Sequence, residues 1–411
     1  SSKMAKAEES YFYWSAGLSG IITELVPAIK NDYLNYMKAR VSYAEVGNDP
    51  WTYGLTIPVY TLSAAGVNTS TSMHNPDLKA ERTKSWEAGI DLVLLKNRLK
   101  VNATVYHSRT YNQFFNINLP ASSGYTSTWV NGGRVDNKGV ELTARLSQPL
   151  GPVKWETYLT WTLNRNKIKE LLPYWKNPVD SNEYSLTELD KGGLSGYKTR
   201  LVEGGTLSDI YVNTLSVDEH GAYYVDPQTH SLSAATNTYV KAGQAAPQYN
   251  LSWGNEFSCK GLTLGFQFAY RNGGIVVSQT QAIMDAFGAS QASADARDVG
   301  GVLINGKPIK ASDYYQTVAS DSHFIGSQYV YSATNLRLQE LSLGCDIPMQ
   351  HWQKVVKGAN VSFVAHNLWL IYCKAPFDPE VTANTGTYAQ GLDYFMQPSL
   401  RTMGFSVKLR F

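Results

Sequence analysis

The sequence predicts an all-β fold, a transmembrane antiparallel β-barrel of the outer-membrane type. Apolar and polar residues alternate with a period of two over segments of about ten residues throughout the chain. The connections between these segments alternate between short and long, as the periplasmic turns and extracellular loops of such barrels do. The longest apolar run, residues 368–373, is far shorter than the roughly 20 residues of a membrane-spanning helix.

The composition limits the possible functions. The 411 residues include 36 Lys and Arg and 34 Asp and Glu, so 36 minus 34 leaves a net charge of +2. This balance argues against a nucleic-acid partner, which requires a concentrated basic surface. Charged residues make up 17%, below the roughly 25% of an average soluble protein, and 27 Tyr outnumber 13 Phe. A surface with so few charges tolerates a medium less polar than water.

The period-two alternation is clearest in five segments. They are residues 99–106, 140–146, 155–163, 262–268 and 405–411. In the first of them, Leu99, Val101 and Val105 alternate with polar residues. Alternation by itself fits a soluble β-sandwich as well as a barrel, because the strands of both have one apolar face.

The connections separate these two alternatives. We predict about thirteen strands, near residues 11–24, 34–47, 83–95, 98–112, 131–147, 153–167, 193–203, 206–217, 249–258, 261–272, 334–347, 358–372 and 395–411. Short connections include 96–97, 148–152, 204–205 and 259–260, and long ones cover 48–82, 113–130, 168–192, 218–248, 273–333 and 373–394. A soluble sandwich has no reason to alternate its loop lengths so regularly, so the barrel is favoured.

The last strand indicates the orientation of the chain. It ends on Phe411, with apolar Phe405, Val407 and Leu409 at the alternate positions before it. This ending resembles the signal that the barrel assembly machinery reads. If Phe411 is periplasmic, the first of the thirteen strands runs downward, from the extracellular side to the periplasm. The first strand of a complete even-stranded barrel has to run in the opposite direction. Because lipid does not tolerate open sheet edges, we expect the chain to be the C-terminal piece of a larger barrel, completed by a plug-bearing N-terminal remainder.

Several stretches carry patterns longer than alternation requires. They are 75–92 (NPDLKAERTKSWEAGIDL), 34–48 (ending RVSYAEVGN), 119–125 (LPASSGY), 130–133 (VNGG), 137–142 (NKGVEL), 335–344 (NLRLQELSLG), 366–368 (HNL), 377–380 (FDPE) and 404–411 (GFSVKLRF). Together they extend over nearly the whole chain. They resemble the SusC/RagA family of TonB-dependent outer-membrane transporters of Bacteroidota.

The resemblance implies a fold, a location and a function. Family members are 22-stranded barrels with an N-terminal plug, so the thirteen strands would be strands ten to twenty-two, with the plug and N-terminal domains absent from this chain. The implied function is active import of an oligomeric nutrient, an oligosaccharide or an oligopeptide, across the bacterial outer membrane. The implied partners are a SusD-like surface lipoprotein that acts as a lid, TonB-ExbB-ExbD, the barrel assembly machinery and outer-membrane lipid.

Two motifs are typical of structural elements. Asn75–Leu78 predicts a turn that sets strand register, since Pro76 fixes φ, and its alternative role is to orient a loop towards substrate. The glycines in 131–133 and 137–139 predict tight curvature or a bulge.

The strand near 334–347 changes phase between Leu338 and Leu341. One bulge near Gln339 or Glu340 would restore a continuous outward apolar face. The alternative is an inward apolar patch that packs on a plug.

Aromatic residues in the long loops are the candidate substrate-binding residues. A flat ring covers the apolar face of a sugar, and its polar tip bonds hydroxyl or peptide groups. The candidates are Trp51, Tyr53, Tyr125, Trp129, Tyr174, Trp175, Tyr223, Tyr224, Tyr314, Tyr315 and Tyr388. The alternative is an interfacial girdle with loop-on-loop packing. The Ala-rich run 282–297 has a helical composition and predicts a compact excursion that faces a lid.

The sequence contains no pattern that indicates catalysis or metal binding. The seven histidines do not fall at metal-ligand spacings, and no nucleophile elbow, phosphate loop or HExxH helix occurs. The three cysteines are too scattered for a disulfide framework or a four-ligand zinc site. We therefore expect no enzyme, cofactor or metal. A passive porin or adhesin barrel and a soluble β-rich binding protein are the alternative functions.

Overall fold

The computed structural model describes residues 3, 10–50, 52–64, 66–177, 181–320, 323–347, 356, 358–384, 386 and 388–410, without the side chain of Ala121. The strands are β1 (Ser15–Ile21), β2 (Leu34–Asn48), β3 (Tyr60–Ser63), β4 (Gly66–Thr69), β5 (Ser72–Met73), β6 (Glu81–Leu94), β7 (Leu99–Asn118), β8 (Ser127–Leu150), β9 (Val153–Glu170), β10 (Leu172–Lys176), β11 (Glu183–Leu186), β12 (Glu188–Leu194), β13 (Tyr197–Val202), β14 (Asp209–Leu215), β15 (Ala234–Gln244), β16 (Tyr249–Cys259), β17 (Leu262–Asn272), β18 (Ile275–Ser278), β19 (Val302–Ile304), β20 (Lys307–Ile309), β21 (Val330–Ser332), β22 (Asn335–Ile347), β23 (Gly358–Cys373), β24 (Leu392–Asp393) and β25 (Thr402–Arg410). The helices are α1 (Ile22–Leu25), α2 (Gln279–Ala286), α3 (Gln291–Asp298) and α4 (Ala311–Val318), with 3-10 turns at Pro27–Ile29, Ala121–Ser123 and Gly326–Tyr329. Among these described residues, no helix is long and apolar enough to cross a membrane.

One large sheet dominates the described part of the chain. Its strands hydrogen-bond in the order β1-β2-β6-β7-β8-β9-β16-β17-β22-β23-β25, and β5 beside β8 brings the total to 12. Neighbours such as β2 and β6, or β16 and β17, pair antiparallel. The hairpin between β16 and β17 turns on Lys260 and Gly261, whose φ angles of 48° and 86° suit a two-residue turn between twisted strands. The predicted all-β, antiparallel fold class is confirmed.

Two of the thirteen predicted strands do not belong to this sheet. The segments near 193–203 and 206–217 contain β13 and β14, which lie in a separate four-stranded sheet, β12-β13-β14-β15. Their apolar residues, including Ile210 and Val212, are buried in a core of their own instead of forming a lipid-facing surface. Alternation indicates only that one face of a strand is apolar. It therefore does not distinguish a strand of the large sheet, which we call the wall, from a strand that covers a core. The path of the large sheet therefore has eleven strands in the described residues.

The chain divides into two compact units. The first consists of Ser1–Thr143, Leu163–Leu189 and Leu201–Leu207. It contains β1, β2, β6 and β7 and parts of β8 and β9. Its larger core is formed by Phe115, Ile117, Val130, Val135, Ile168, Leu171, Leu172 and Leu201, and a smaller one by Leu55, Leu78 and Phe114.

The Asn75–Leu78 motif is a turn that the smaller core holds in place. The Asn75 Oδ1 atom accepts a hydrogen bond from the Asp77 amide at 3.1 Å, which tightens the turn. The Asn75 Nδ2 atom donates to the Trp129 carbonyl at 2.9 Å, and Leu78 is fully buried. The predicted turn is thus confirmed, and it fastens the loop before β6 to β8.

The second unit consists of Ala144–Thr162, Asp190–Arg200 and Ser208–Phe411. It contains parts of β8 and β9 and the wall strands β16, β17, β22, β23 and β25. It also contains an extended core outside the wall. We call the connections 190–200, 208–248, 273–334 and 374–401 of this unit the loop domain. Its buried residues include Tyr197, Ile210, Val212, Leu215, Val277, Ala282, Tyr314, Val318, Phe324, Tyr329 and Leu392.

A bulge in β22 keeps one face of the wall apolar. Leu338 pairs with Phe268 and Leu341 pairs with Phe266, and the register shifts between these two pairs. Two residues of β22, Gln339 and Glu340, therefore oppose Gln267 alone, as a β-bulge requires. This confirms the predicted bulge and not the inward apolar patch.

The opposite face of the wall is polar and closely packed. In the first unit, the Arg40 Nη1 atom lies 3.1 Å from both carboxylate oxygens of Asp91, and its Nη2 atom donates to Thr104 Oγ1. A Cβ atom on Gly139 would overlap the ring of Tyr106, whereas Gly133 has a positive φ of 79°. The predicted curvature thus fits Gly133, and Gly139 instead makes room for a ring.

Candidate functional site

The connection between β17 and β22 forms a platform of helices in the loop domain. Ser278 caps α2 and Ser290 caps α3, because each hydroxyl oxygen accepts a backbone amide hydrogen bond at 3.0 Å. Gly288, with a φ of 65°, lies in the turn between the two helices. The helical composition predicted for 282–297 is confirmed, although it forms two helices.

Asp285 fixes this platform to the core of the loop domain. This carboxylate is 6% exposed and accepts hydrogen bonds from Gln281 Nε2 at 3.0 Å, from the Tyr329 hydroxyl at 3.0 Å and from Ser290 Oγ. Burial and the adjacent Asp285 charge raise the pKa of Tyr329. Tyr329 therefore keeps its proton and donates to Asp285 at neutral pH.

A cavity of about 590 Å³ lies between the three helices α2, α3 and α4. The side chains in its lining that can bind a ligand are Phe287, Arg297, Lys310, Ser312, Tyr315 and Gln316. Phe287 is 78% exposed, and the Arg297 Nη1 atom donates to the Gly288 carbonyl at 3.2 Å. An exposed ring beside two cations and an amide can bind a ligand that combines apolar surface with carboxylate, carbonyl or hydroxyl groups.

Three of the predicted aromatic residues come together at this cavity. Tyr315 lines it, and the ring of the buried Tyr314 contacts Tyr315 edge to face at a centroid distance of 5.1 Å. Gln328 joins Tyr314 to Tyr223, because its Oε1 accepts from the Tyr314 hydroxyl at 3.1 Å and its Nε2 donates to the Tyr223 hydroxyl at 3.0 Å. Burial raises the pKa of Tyr314 to about 12. Tyr314 and Tyr223 therefore support Tyr315 without lining the cavity.

The remaining predicted residues lie elsewhere. Tyr224 and Tyr388 are half-exposed in the second unit and do not line this cavity. In the first unit, Tyr53 and Tyr174 are exposed, Tyr125 lines a cavity of about 70 Å³, and Trp129 and Trp175 pack against its two cores. Trp51 lies outside the described residues.

Sequence reasoning missed Phe287, Arg297, Lys310 and Gln316. These four residues are separated by up to 29 positions in the sequence, and they converge only when the helices pack. The run 282–297 was the available signal, because it ends at Arg297 and contains Phe287. In the described part of the chain, no three His, Cys, Asp or Glu side chains come together as a metal site requires.

An ion pair anchors another part of the loop domain, 374–401, to the wall. The Arg337 Nη2 atom lies 2.8 Å from Asp378 Oδ1, and Asp378 Oδ2 accepts from the Ser399 amide at 3.0 Å. The Asn335 Nδ2 atom donates to Glu380 Oε1 at 3.2 Å. The NLRLQELSLG and FDPE stretches thus meet in the folded chain. Burial alone would raise the pKa of Asp378, but hydrogen bonds from Arg337 and Ser399 outweigh it and lower this pKa.

Acidification is expected to loosen this anchor. Because the pKa of Asp378 is lower in the folded than in the unfolded chain, its stabilisation is present above the unfolded value of about 3.9 and is lost as pH falls through the folded value. Hydrogen exchange of residues 374–401, corrected for the intrinsic effect of pH, should stay constant from about pH 7 to 5 and rise below about pH 4. Asp378→Asn should already exchange faster at pH 7 and respond less to acid. An equal acid response in both proteins would contradict this prediction.

Comparisons with known proteins agree with this architecture. A protein-family model described as TonB dependent receptor-like, beta-barrel matches residues 3–269. TonB-dependent receptor P3 of Formosa agariphila is 24% identical over 401 residues, which are 91% of this chain and 39% of that receptor. TonB-dependent receptor P26 of the same organism is 23% identical over 97% of this chain and 42% of its own length. The chain thus spans well under half the length of these relatives.

Solved structures give the same result for the fold. The RagAB peptide importer in its open-open state superimposes with a TM-score of 0.74 at 18% identity, over 100% of this chain and 44% of that chain. Its closed-closed state gives a TM-score of 0.72 at 19% identity, over 99% and 44%. At these identities the similarity establishes the fold alone.

Proposed function

The chain belongs to the TonB-dependent receptor-like β-barrel family, and from this premise we propose that it is part of a transporter that actively imports an oligomeric nutrient, an oligopeptide or an oligosaccharide. Proteins of this family are outer-membrane proteins, and the wall strands of this chain lie in that membrane. The chain contributes barrel wall, lumen surface and extracellular loops. Its part in import is binding and passage, and no bond is made or broken.

The observation that carries this proposal is the cavity between α2, α3 and α4. The connection that forms it leaves the sheet at the end opposite the β16–β17 turn, which is the extracellular end in this family. Its volume of about 590 Å³ is within the range of ligand sites. Phe287 and Tyr315 offer rings to an apolar side chain or a sugar face, and Arg297 and Lys310 offer donors to carboxylate or carbonyl groups. The similarity to a peptide importer favours oligopeptides as the first cargo to test.

The proposed partners follow from the same premise. A SusD-like lipoprotein covers the extracellular loops as a lid, and TonB-ExbB-ExbD act through a plug in the rest of the barrel. Relatives of more than twice the length of this chain support such a remainder. The barrel assembly machinery reads the alternating apolar residues of β25, where Phe405 is 81% exposed and Val407 and Leu409 share its face. Phe411, the last member of this predicted signal, lies outside the described residues.

The double variant Phe287→Ala, Tyr315→Ala tests the cavity. Truncating aromatic residues at the centre of a binding site costs about 1–3 kcal/mol, so uptake at low cargo concentration should fall about 5- to 150-fold. Uptake of fluorescent oligopeptides and oligosaccharides by cells carrying the full-length transporter measures this. Leu303→Ala is the matched control, because Leu303 is an exposed apolar residue of the loop domain that does not line the cavity.

Energy coupling is tested in the same assay. Uptake should stop in cells that lack TonB or whose proton-motive force is collapsed. Uptake that continues at its full rate under both conditions would support a passive porin instead. A protein that binds cells or matrix without any uptake would support an adhesin.

A further inference from the structure

The outward face of β2, β6 and β7 in the first unit carries a basic pair above an apolar groove. Lys84 and Arg109 are direct cross-strand partners, and the next pairs on the same face towards the β6–β7 turn are Trp86 with His107 and Ala88 with Val105. We propose that this face binds a phosphorylated, acylated glycolipid of the outer leaflet, with a phosphate between Lys84 and Arg109 and an acyl chain in the groove. This inference goes beyond the proposed import function and does not depend on the cargo.

The pairing of two cations indicates an anionic partner. Like charges directly opposite each other on antiparallel strands are destabilising, and the side chains of Lys84 and Arg109 are each about half exposed. Their carboxylate neighbours do not saturate them: the Lys84 Nζ atom is 4.0 Å from Glu45 Oε2, and the Arg109 Nε atom is 3.8 Å from Asp136 Oδ2. Both distances exceed the length of a hydrogen bond. The Arg109 Nε atom donates instead to His107 Nε2 at 3.4 Å, so the Lys84 ammonium and the Nη groups of Arg109 are the donors that a phosphate would use.

The same carboxylates are shared with further cations. Glu45 also pairs with Arg82 at 3.2 Å, and Asp136 lies 3.9 Å from Arg134 and 3.6 Å from His107. Arg134 in turn lies 3.7 Å from Glu170. The surface therefore has an excess of positive charge that a phosphate complements. Its four permanent cations are Lys84, Arg109, Arg82 and Arg134, and its three carboxylates are Glu45, Asp136 and Glu170.

The groove beneath the pair has the apolar lining that an acyl chain requires. It encloses about 260 Å³ and is lined on its apolar side by Val41, Trp86, Ala88 and Val105. The Trp86 ring also contacts Tyr43 at a centroid distance of 4.8 Å, which forms an aromatic edge to the groove. An aromatic edge between an apolar surface and charges is typical of the membrane interface.

The height of the pair matches the outer leaflet boundary. The cross-strand pair closest to the β6–β7 turn is Leu94 with Leu99. The pair of Lys84 with Arg109 lies ten residues further from the turn on both strands, since 94 minus 84 and 109 minus 99 are both ten. Ten residues at roughly 3.3 Å each, on strands tilted by about 40°, rise about 25 Å. The apolar band of such barrels is also about 25 Å tall. The cations therefore lie where lipid phosphates are found.

Native mass spectrometry of the full-length, detergent-purified protein tests the proposal with lipid A as the probe. Removing two charge-assisted contacts in Lys84→Gln, Arg109→Gln should weaken lipid A binding at least about tenfold. Dephosphorylated lipid A should bind the parent protein as weakly as lipid A binds the variant. The matched control Lys96→Gln, Lys100→Gln removes two charges from the turn end of the same hairpin and should leave binding unchanged.

A second variant tests the groove without changing charge. Val105→Trp fills it and should reduce lipid A binding, while retained heat-modifiability shows that the barrel has assembled. Equal binding of lipid A by the parent and the double Gln variant would overturn the proposal. Equal or tighter binding of phosphatidylglycerol would also overturn it, because the site would then accept any anionic lipid. Lipid binding and heat-modifiability are both measured without nutrient uptake. A negative result for the lipid site therefore does not affect the test of the import function.

Discussion

Replacing Arg337 with alanine is expected to destabilise the full-length protein by about 3–5 kcal/mol. The side chains of Arg337 and Asp378 are 5% and 8% exposed, and Arg337 binds both carboxylate oxygens of Asp378, at 2.8 and 3.4 Å. Without the guanidinium, a buried carboxylate loses its counter-charge. Since Asp378 also holds the Ser399 amide, the whole connection 374–401 should loosen.

A double-mutant cycle separates this mechanism from a simple loss of packing. The unfolding free energy of the protein in lipid vesicles, from urea titration, should be lower for Arg337→Ala than for Arg337→Ala, Asp378→Ala, because the second change removes the stranded charge. Arg337→Lys should be intermediate, since it keeps the charge and loses the planar fork that binds two oxygens. If the double variant is as unstable as the sum of the single variants, the pair is not coupled and this account is wrong.

Replacing Gly326 with alanine should disrupt the loop domain, at a cost near or above the upper end of the roughly 1–3 kcal/mol of overpacking. A Cβ atom there would overlap the Gly196 carbonyl and come within 3.0 Å of Val212 Cβ. Both are held by the core, so neither can move cheaply. Gly326 starts the 3-10 turn that carries Gln328 and Tyr329, which hold Tyr314, Tyr223 and Asp285.

The expected result is loss of cargo uptake together with faster proteolysis of the loop domain, while barrel assembly persists. Gly404→Ala is the matched control, because a Cβ atom there meets no atom within 4 Å. A Gly326→Ala protein with the parent's uptake and proteolysis would show that the backbone can relax, and would contradict the close contact.

The wall could be predicted from the sequence because its signal is local. Leu262, Leu264, Phe266 and Phe268 alternate, and these residues do form one face of β17. The bulge at Gln339 was also predictable, since a change of phase within one strand is visible in the sequence. One extra residue in that strand restores a continuous apolar face. The same local signal misassigned β13 and β14, because alternation does not record what lies against the apolar face.

The cavity could be predicted only in part. Tyr315 is a loop aromatic of the kind expected to bind substrate, and it lines the cavity. Trp129 and Trp175 satisfied the same rule and proved to pack against the cores of the first unit. Composition identifies residues that can bind a ligand, and only packing decides which of them are left exposed to one.

The amino-acid sequence by itself determined the antiparallel wall, the apolar face and bulge of this wall, and the resemblance of the chain to a transporter family. Each of these features depends on the identity and spacing of residues that are close together in the sequence. Only the tertiary structure decided that β13 and β14 cover the core of the loop domain, that Phe287 and Lys310 face one cavity, and that Lys84 meets Arg109. These contacts join residues distant in sequence, and they depend on strand register and helix packing, which local periodicity does not encode.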